Sequence, residues 1–146
     1  MKEAIGNTMV FNLMMIFIVM MFIILLGSVT YSKGFKIRNR IIDRIEQYHG
    51  YDPNGAVVTA INEDLKAVGY RIVANQNCHD RPDASAVLTS EYNAYNYCVY
   101  QYDTNRGTYY GVKVYVYIDF PFIGKFASLP LYGESEIVYQ KGTVEY

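Results

Sequence analysis

Residues 9–29 read MVFNLMMIFIVMMFIILLGSV, and residues 30–48 continue with TYSKGFKIRNRIIDRIEQY. Within residues 9–26, Asn12 is the only residue that is not apolar. A helix over residues 9–29 covers about 30 Å at a rise of 1.5 Å per residue, which matches the hydrocarbon core of a bilayer. The stretch therefore predicts a transmembrane helix over residues 9–30, preceded by a short N-terminal segment of residues 1–8.

A buried core helix and a cleaved signal peptide are the two alternatives for this stretch. Core helices rarely remain apolar on every face over about five turns. The apolar part of a signal peptide spans about 7–15 residues and ends at a small-residue cleavage site, whereas this run is longer and a helical pattern follows it. A retained membrane anchor is therefore the favoured interpretation.

The helical pattern continues beyond the apolar stretch, over residues 31–50. Its apolar positions recur at helical spacing: Ile37, Ile41, Ile45 and Tyr48. Gly50 and the turn signal at residues 52–55 then end the pattern. We expect one helix of about 40 residues, half in lipid and half amphipathic.

The rest of the chain has a different composition. All six methionines lie within the first 21 residues, and 14 of the 16 tyrosines lie beyond residue 50. Residues 1–50 carry a net charge of +3, and residues 51–146 carry a net charge of −4. Because the tyrosine-rich part has no basic cluster, we expect no nucleic-acid partner.

Residues 51–146 predict a small domain with a helix and a sheet. Apolar spacing indicates a short helix over residues 56–68. Strand-like runs follow at residues 70–78, 92–102, 108–120 and 134–140, with a hairpin loop at 103–107. In the third run, apolar residues alternate with Lys113, Tyr115 and Tyr117, so one face of an antiparallel sheet should cover the long helix. The predicted fold class is α+β, with the long helix packed on a small sheet and one short extra helix.

The last third of this domain allows two finer expectations. Pro121 and Pro130 bracket a stretch at residues 122–129 that we expect to be irregular. In the final run, Ile137 and Tyr139 are expected on the inward face.

Tyrosines are concentrated on the predicted strands. A row of outward tyrosines is typical of protein-contact surfaces, although tyrosine is also an ordinary strand residue. The tyrosines assigned to such a surface are Tyr95, Tyr97, Tyr115 and Tyr117.

The two cysteines, Cys78 and Cys98, lie at the end of the first predicted strand and within the second. In an oxidising compartment they would form a disulfide, which we favour, and in a reducing one they would be two buried thiols. With two histidines they cannot fill a four-ligand zinc site unless every one of them is used.

The sequence carries no arrangement typical of an active site. Phosphate-binding loops of P-loop or Rossmann spacing do not occur, and residues 133–137 lack the second glycine of a nucleophile elbow. Cys78, His79 and Asp80 are sequence neighbours, but consecutive strand residues point to opposite faces, so a solvated loop is the simpler interpretation. We therefore expect no enzyme, and no catalytic, cofactor-binding or metal-binding residues.

The long helix carries two sets of candidate interaction residues. Small or polar side chains let helices approach closely in lipid, and the residues assigned to this role are Asn12, Gly27, Ser28, Ser32 and Gly34. The residues expected at lipid headgroups are Lys33, Lys36, Arg38 and Arg40. Positive charge after the apolar stretch favours a cytoplasmic C-terminal domain, whereas the cysteine pair and the tyrosine-rich sheet favour an extracytoplasmic one, which we expect.

Three stretches carry a resemblance to a known family. They are GNTMVF at residues 6–11, YGVKVYV at residues 110–116 with FPFI at 120–123, and GESEIVY at 133–139. In this architecture they resemble the assembly segment, the C-terminal strand with its proline–phenylalanine turn, and the final strand of TadE/TadF-like minor pseudopilins of tight-adherence pilus systems. Such pilins usually have a glutamate five residues after the cleavage glycine; if that glycine is Gly6, this chain has Phe11 instead.

The resemblance implies a non-catalytic, membrane-anchored component of a pilus or secretion assembly. Its partners would be membrane lipids, pilin or pilus-assembly proteins and, in a homo-oligomer, further copies of the chain. The alternative is a stand-alone single-pass membrane protein whose extracytoplasmic domain binds a ligand or a protein partner.

Overall fold

The computed structural model describes residues 2–68, 78, 81–89, 97–120 and 124–139, with the backbone alone at residues 2–5, 118–120 and 124–127. Two helices, α1 (Lys2–Gln47) and α2 (Ala56–Val68), precede the strands β1 (Ala86–Val87), β2 (Tyr97–Thr104), β3 (Gly107–Phe120) and β4 (Gly124–Glu134). The strands form one antiparallel sheet in the order β1-β2-β3-β4. The α+β class predicted from the sequence is confirmed.

α1 is one continuous helix of 46 residues with two different surroundings. Its described side chains before Gly34 are exposed or half-buried, and a buried stripe begins at Gly34. The stripe then follows the helical period through Ile37, Ile41 and Ile45, of which Ile45 is fully buried. This spacing places all four residues on the side of α1 that carries the sheet.

The backbone after α1 turns sharply and returns to the core. The Gly50 N–H donates to the carbonyl of Ile45 at 2.9 Å. Gly50 has a φ of 146°, a conformation that favours glycine because it has no Cβ. Tyr51 is thereby brought inside, where its hydroxyl shares a hydrogen bond with the Tyr97 hydroxyl at 3.4 Å.

The inner face of the sheet covers the stripe of α1. The register pairs Tyr97 with Val114 and Val99 with Val112, so these side chains share one face. The core that they form with α1 and α2 contains Ile37, Ile41, Ile42, Ile45, Tyr51, Val57, Ile61, Leu65, Tyr97, Val99, Tyr110, Val112, Val114, Val116 and Leu131. One core therefore unites the second half of α1, α2 and the strands β2 to β4.

Gly34 is the point of closest approach between α1 and the sheet. A Cβ at this position would overlap the side chain of Val116 and lie 2.6 Å from Cδ1 of Leu131. The sheet can rest against the helix backbone here because the residue has no side chain.

α2 covers another part of α1. Its buried residues Val57, Ile61 and Leu65 join the core. At the edge of this contact, Nε of Arg44 donates to Oδ2 of Asp64 at 2.7 Å. That hydrogen bond, together with the charge of Arg44, holds the pKa of Asp64 below its ordinary value.

The expectation of an irregular stretch at residues 122–129 is wrong for its described part. Residues 124–129 belong to β4, which continues through Pro130 to Glu134. β4 lies at the edge of the four described strands, and an edge is where a strand tolerates a proline, since one row of its backbone groups has no partner among those strands.

The expectation of a final strand at residues 134–140 is also wrong. Among the described residues after Glu134, the ladder is reduced to one bridge, between Val138 and Thr108. Ile137 and Tyr139, predicted to point inward, are 37% and 74% exposed. Ser135 points inward instead, and its hydroxyl accepts a hydrogen bond from the N–H of Tyr110 at 2.9 Å. The inward and outward positions after Ser135 therefore differ from those predicted.

The remaining differences concern the connections. The β2–β3 loop consists of residues 105 and 106, because Thr104 and Gly107 are already paired. β1 is not predicted from the sequence. The predicted strand at residues 70–78 and the start of the next one, residues 92–96, lie outside the described residues, apart from Cys78.

We predict that Gly34→Val destabilises the domain, because the added side chain must displace Val116 and Leu131. Overpacking of this kind costs about 1–3 kcal/mol. Gly27→Val is the matched control, since a Cβ at Gly27 would meet nothing within 4 Å. Thermal unfolding in detergent, followed by circular dichroism, should show a lower midpoint for Gly34→Val alone. Equal midpoints would contradict the close helix–sheet contact.

Candidate functional site

The apolar half of α1 is the most exposed apolar surface of the described chain. Large side chains are exposed all around it, with Phe17 at 64% and Ile24 at 64%. Exposed apolar surface of this extent marks contact with a membrane or a partner. By length and composition, α1 is able to span a membrane.

The residues assigned to helix packing do not share one surface. Gly34 is buried beneath the sheet of its own chain, so its assignment to a contact with another helix is wrong. Asn12, Ser28 and Ser32 are exposed, and Gly27 has open space around it. At about 100° per residue, Ser28 and Ser32 lie more than 90° around the helix from Gly34. These four positions remain predictions as contacts for another helix.

The residues assigned to lipid headgroups also divide. Lys33, Lys36 and Arg40 are exposed just beyond the apolar half of α1. Arg38 is half-buried and binds the sheet, because its Nη1 donates to the carbonyl of Tyr132 at 2.9 Å. Its guanidinium carbon also lies 3.9 Å from the centroid of the Phe35 ring. Arg38 therefore joins α1 to β4, and its assignment to a lipid headgroup is wrong.

A disulfide lies on the outer face of the sheet, the face away from α1. Cys78 and Cys98 are bonded, with their Cα atoms 5.6 Å apart, as the sequence favours. The bond attaches the segment before β1 to β2. Closing a loop with a sequence separation of 20 contributes about 3 kcal/mol to stability in the chain-entropy treatment.

A tyrosine cluster, formed by Tyr100, Tyr102, Tyr109 and Tyr132, lies beside this disulfide. The rings of Tyr102 and Tyr109 stack with their centroids 4.8 Å apart. The Tyr132 hydroxyl lies 3.2 Å from that of Tyr102 and donates to Oε1 of Glu134 at 3.0 Å. Gly111 lies beneath these rings, and a Cβ there would overlap Tyr132. The rings can meet because this position of β3 carries no side chain.

Arg81, in the segment before β1, binds to the tyrosine cluster. Its Nη1 donates to the Tyr102 hydroxyl at 3.2 Å, and its guanidinium carbon lies 4.3 Å from the centroid of the Tyr132 ring. This role of Arg81 is not evident from the sequence, where it stands among the polar residues that follow Cys78. The alternation of Cys98, Tyr100 and Tyr102 on one face of β2 is the signal that a second packed surface exists there.

The assignment of surface tyrosines is partly wrong. Tyr97 is 1% exposed and belongs to the core, because it shares the inner face of β2 with Val99. Tyr115 and Tyr117 are half-buried on the outer face of β3. Tyr95 lies outside the described residues. An aromatic contact surface on the described strands would therefore centre on β3, beside the tyrosine cluster.

Two open cavities border the turn after α1. One, of about 330 Å³, is lined by His49, Asp52 and Tyr110 among others. The other, of about 270 Å³, is lined by Glu46, His49 and Glu136 among others. In the described parts of the chain, no three His, Cys, Asp or Glu side chains are grouped so that they could hold a metal ion. Both cavities lie near the end of α1, about 27 Å along the helix from the end of its apolar stretch.

The acidity of the Tyr132 phenol, in the tyrosine cluster, is lowered by its surroundings. Burial raises its pKa above the ordinary value of 10.0, and its hydrogen bonds to Tyr102 and Glu134 raise it further. The folded state thus favours the neutral phenol more than the unfolded chain does. This contribution to stability is fully present below the unfolded pKa, about 10, and is lost as pH rises through the folded-state pKa.

We predict that the domain loses stability above about pH 10 and that Tyr132→Phe reduces this loss. Tyr139→Phe is the matched control, since Tyr139 is 74% exposed. Unfolding midpoints measured from about pH 8 to about pH 11 should fall less steeply for Tyr132→Phe than for Tyr139→Phe. Identical slopes would show that the phenol of Tyr132 is not held in its neutral form by the fold.

No family model, curated protein sequence or solved structure matches this chain. The chain's own residues and contacts are therefore the basis for inferring its function.

Proposed function

We propose that this chain is a non-catalytic component of a pilus or secretion assembly, anchored in the cell membrane by α1 and carrying its sheet domain outside. The observation that supports this most strongly is the division of α1. One uninterrupted helix has a first half that is apolar and exposed and a second half that is covered by the sheet. Such a helix is at once an anchor and a rigid support for the domain.

The charges next to the apolar stretch support a position in a membrane. The stretch ends at Val29, and the next charged residue is Lys33. Lys33 and Lys36 are exposed within about 10 Å of this end, where anionic headgroups attract basic side chains by about 1 kcal/mol each. Arg40, about 16 Å beyond it, is exposed as well. Tyr31, 50% exposed, is an aromatic residue of the kind enriched at membrane interfaces.

The disulfide supports an extracytoplasmic domain. Disulfides persist in oxidising compartments and are rare in the cytosol. The basic residues after the span oppose this orientation, but long domains are translocated largely regardless of flanking charge. The disulfide between Cys78 and Cys98 therefore supports an extracytoplasmic domain despite the charge asymmetry.

Assembly with other helices would use the exposed apolar half of α1. In lipid, helices associate where small residues let their backbones approach. Gly27 and Ser28 provide such a place near the end of the span. The resemblance to TadE/TadF-like minor pseudopilins indicates pilin or pilus-assembly proteins, or copies of the same chain, as the helices that would bind there. The stand-alone alternative would instead use the half-buried Tyr115 and Tyr117 on the outer face of β3.

The orientation is tested by protease added to intact spheroplasts. We predict that residues beyond the span are digested, and that alkylation of the denatured, unreduced protein labels neither Cys78 nor Cys98. Reduction before alkylation is the control and should expose both thiols. Full protection from protease together with two labelled thiols would place the domain in the cytoplasm.

The assembly role is tested by chemical crosslinking in native membranes. We predict that Gly27→Leu and Ser28→Leu abolish crosslinks to pilin partners or to further copies of the chain, because the larger side chain separates the helix backbones. Both variants should stay membrane-bound, since leucine is favourable in a lipid-facing helix. Val29→Leu, which exchanges one large apolar residue for another, is the matched control. Crosslinks that persist in all three variants would show that Gly27 and Ser28 do not form the contact, and an unmodified chain that forms no such crosslinks would favour the stand-alone alternative.

A further inference from the structure

β3 runs antiparallel to α1, so its C-terminal end points towards the apolar half of that helix. Near the start of β3, the hydroxyl of Tyr110 lies 3.0 Å from where a Cβ of Gly50 would be. Further along β3, Val116 lies against Gly34. Six residues of strand therefore accompany α1 from the turn at its end to the start of its buried stripe.

The hairpin of β3 and β4 continues beyond this contact. β3 extends four residues past Val116 to Phe120, which is paired with Gly124 of β4. At about 3.3 Å per residue, the end of β3 lies about 13 Å beyond Val116. The same distance corresponds to about nine residues of helix, or about seven if the strand is inclined to the helix axis.

The end of the hairpin is therefore level with about residues 25–27 of α1. These residues belong to the apolar stretch, and both Tyr31 and Lys33 lie closer to the domain. A bilayer that holds the apolar stretch would reach the end of the hairpin as well.

The composition of the hairpin end fits such a position. Residues 118–127 read IDFPFIGKFA, with Asp119 and Lys125 as the two charged residues. These two residues, of opposite charge, are register partners in the β3–β4 pairing. All seven phenylalanines of the chain lie either within α1 or within this stretch: Phe11, Phe17, Phe22, Phe35, Phe120, Phe122 and Phe126. The described core of the domain uses valine, isoleucine and tyrosine instead.

The depth of contact is limited by the backbone of β4. Among the described strands, β4 lies at the edge and presents backbone groups that none of the other strands pairs with. Such groups cannot enter the hydrocarbon core, but water and headgroups satisfy them at its boundary. Amphipathic segments bury their apolar side chains about 5–10 Å into this boundary.

We infer that the end of the β3–β4 hairpin, Ile118 to Phe120 and Gly124 to Ala127, is a second membrane contact that lies in the boundary between headgroups and acyl chains beside α1. This rests on the proposed position of α1 in the membrane. The domain is then held at two points, so its inclination to the membrane is set by the hairpin as well as by the helix.

The chain contains no tryptophan, so a single introduced tryptophan reports its own surroundings. Phe120→Trp, with Phe126→Trp as the second variant, places the reporter at the hairpin end. Phe17→Trp reports on the span, and Tyr139→Trp reports on an exposed position near the opposite end of the domain. Each full-length variant is reconstituted in vesicles of phosphatidylcholine and phosphatidylglycerol that are brominated at a shallow or a deep acyl position, and retention of the disulfide shows that it is folded.

We expect shallow bromines to quench Phe120→Trp and Phe126→Trp most strongly, deep bromines to quench Phe17→Trp most strongly, and neither to quench Tyr139→Trp. If Phe17→Trp is quenched while both hairpin variants behave like Tyr139→Trp, the second contact is overturned and the span stands. Hairpin variants that are quenched most by deep bromines would overturn the inferred depth. If Phe17→Trp is not quenched either, the position of α1 in the membrane fails, and the second contact fails with it.

Discussion

The contact between the buried stripe of α1 and the inner face of the sheet holds the domain together. An antiparallel sheet needs an apolar layer over one face, and here α1 and α2 provide that layer. Fully burying an isoleucine contributes about 1.5–3 kcal/mol, so Ile37, Ile41 and Ile45 together provide a large share of the driving force. Gly34 lets β3 and β4 approach the helix backbone at the end of this stripe nearest the apolar half.

The continuity of α1 connects this contact rigidly to the apolar stretch. Because a helix advances 1.5 Å per residue without a break, the sheet sits at a fixed height above the apolar stretch. Gly34 is five residues after Val29, which leaves about 7.5 Å between the end of that stretch and the first contact with the sheet. Arg38 strengthens the junction, because it donates to the backbone of β4 instead of reaching outward. The height of the domain above the apolar stretch thus follows from one rigid element.

The outer face of the sheet is stabilised by different means. No helix covers its described residues. The packing on this face depends on the disulfide, on Arg81 and on the stacked rings of Tyr102 and Tyr109. Tyrosines suit this position because a ring can pack against its neighbours while the hydroxyl keeps a hydrogen-bond partner. The inner face is mainly aliphatic, with Tyr51, Tyr97 and Tyr110 among its valines and isoleucines, whereas the covered part of the outer face is aromatic and hydrogen-bonded. A partner of the domain would therefore meet polar aromatic surface, and a partner of the apolar half of α1 would meet aliphatic surface.

The sequence by itself determined the long helix, its division into an apolar and an amphipathic half, α2 and the alternation of β3. Each of these is a local periodicity, set by 3.6 residues per helical turn or two residues per strand repeat. The tertiary structure decided which contacts those elements make. Gly34 lies under the sheet, and Arg38 donates to the backbone of β4. Tyr97 is buried in the core, and β4 continues through Pro130. These outcomes depend on pairings between residues far apart in the chain, and a shift of one residue in strand register moves every side chain to the other face, so local pattern alone could not decide them.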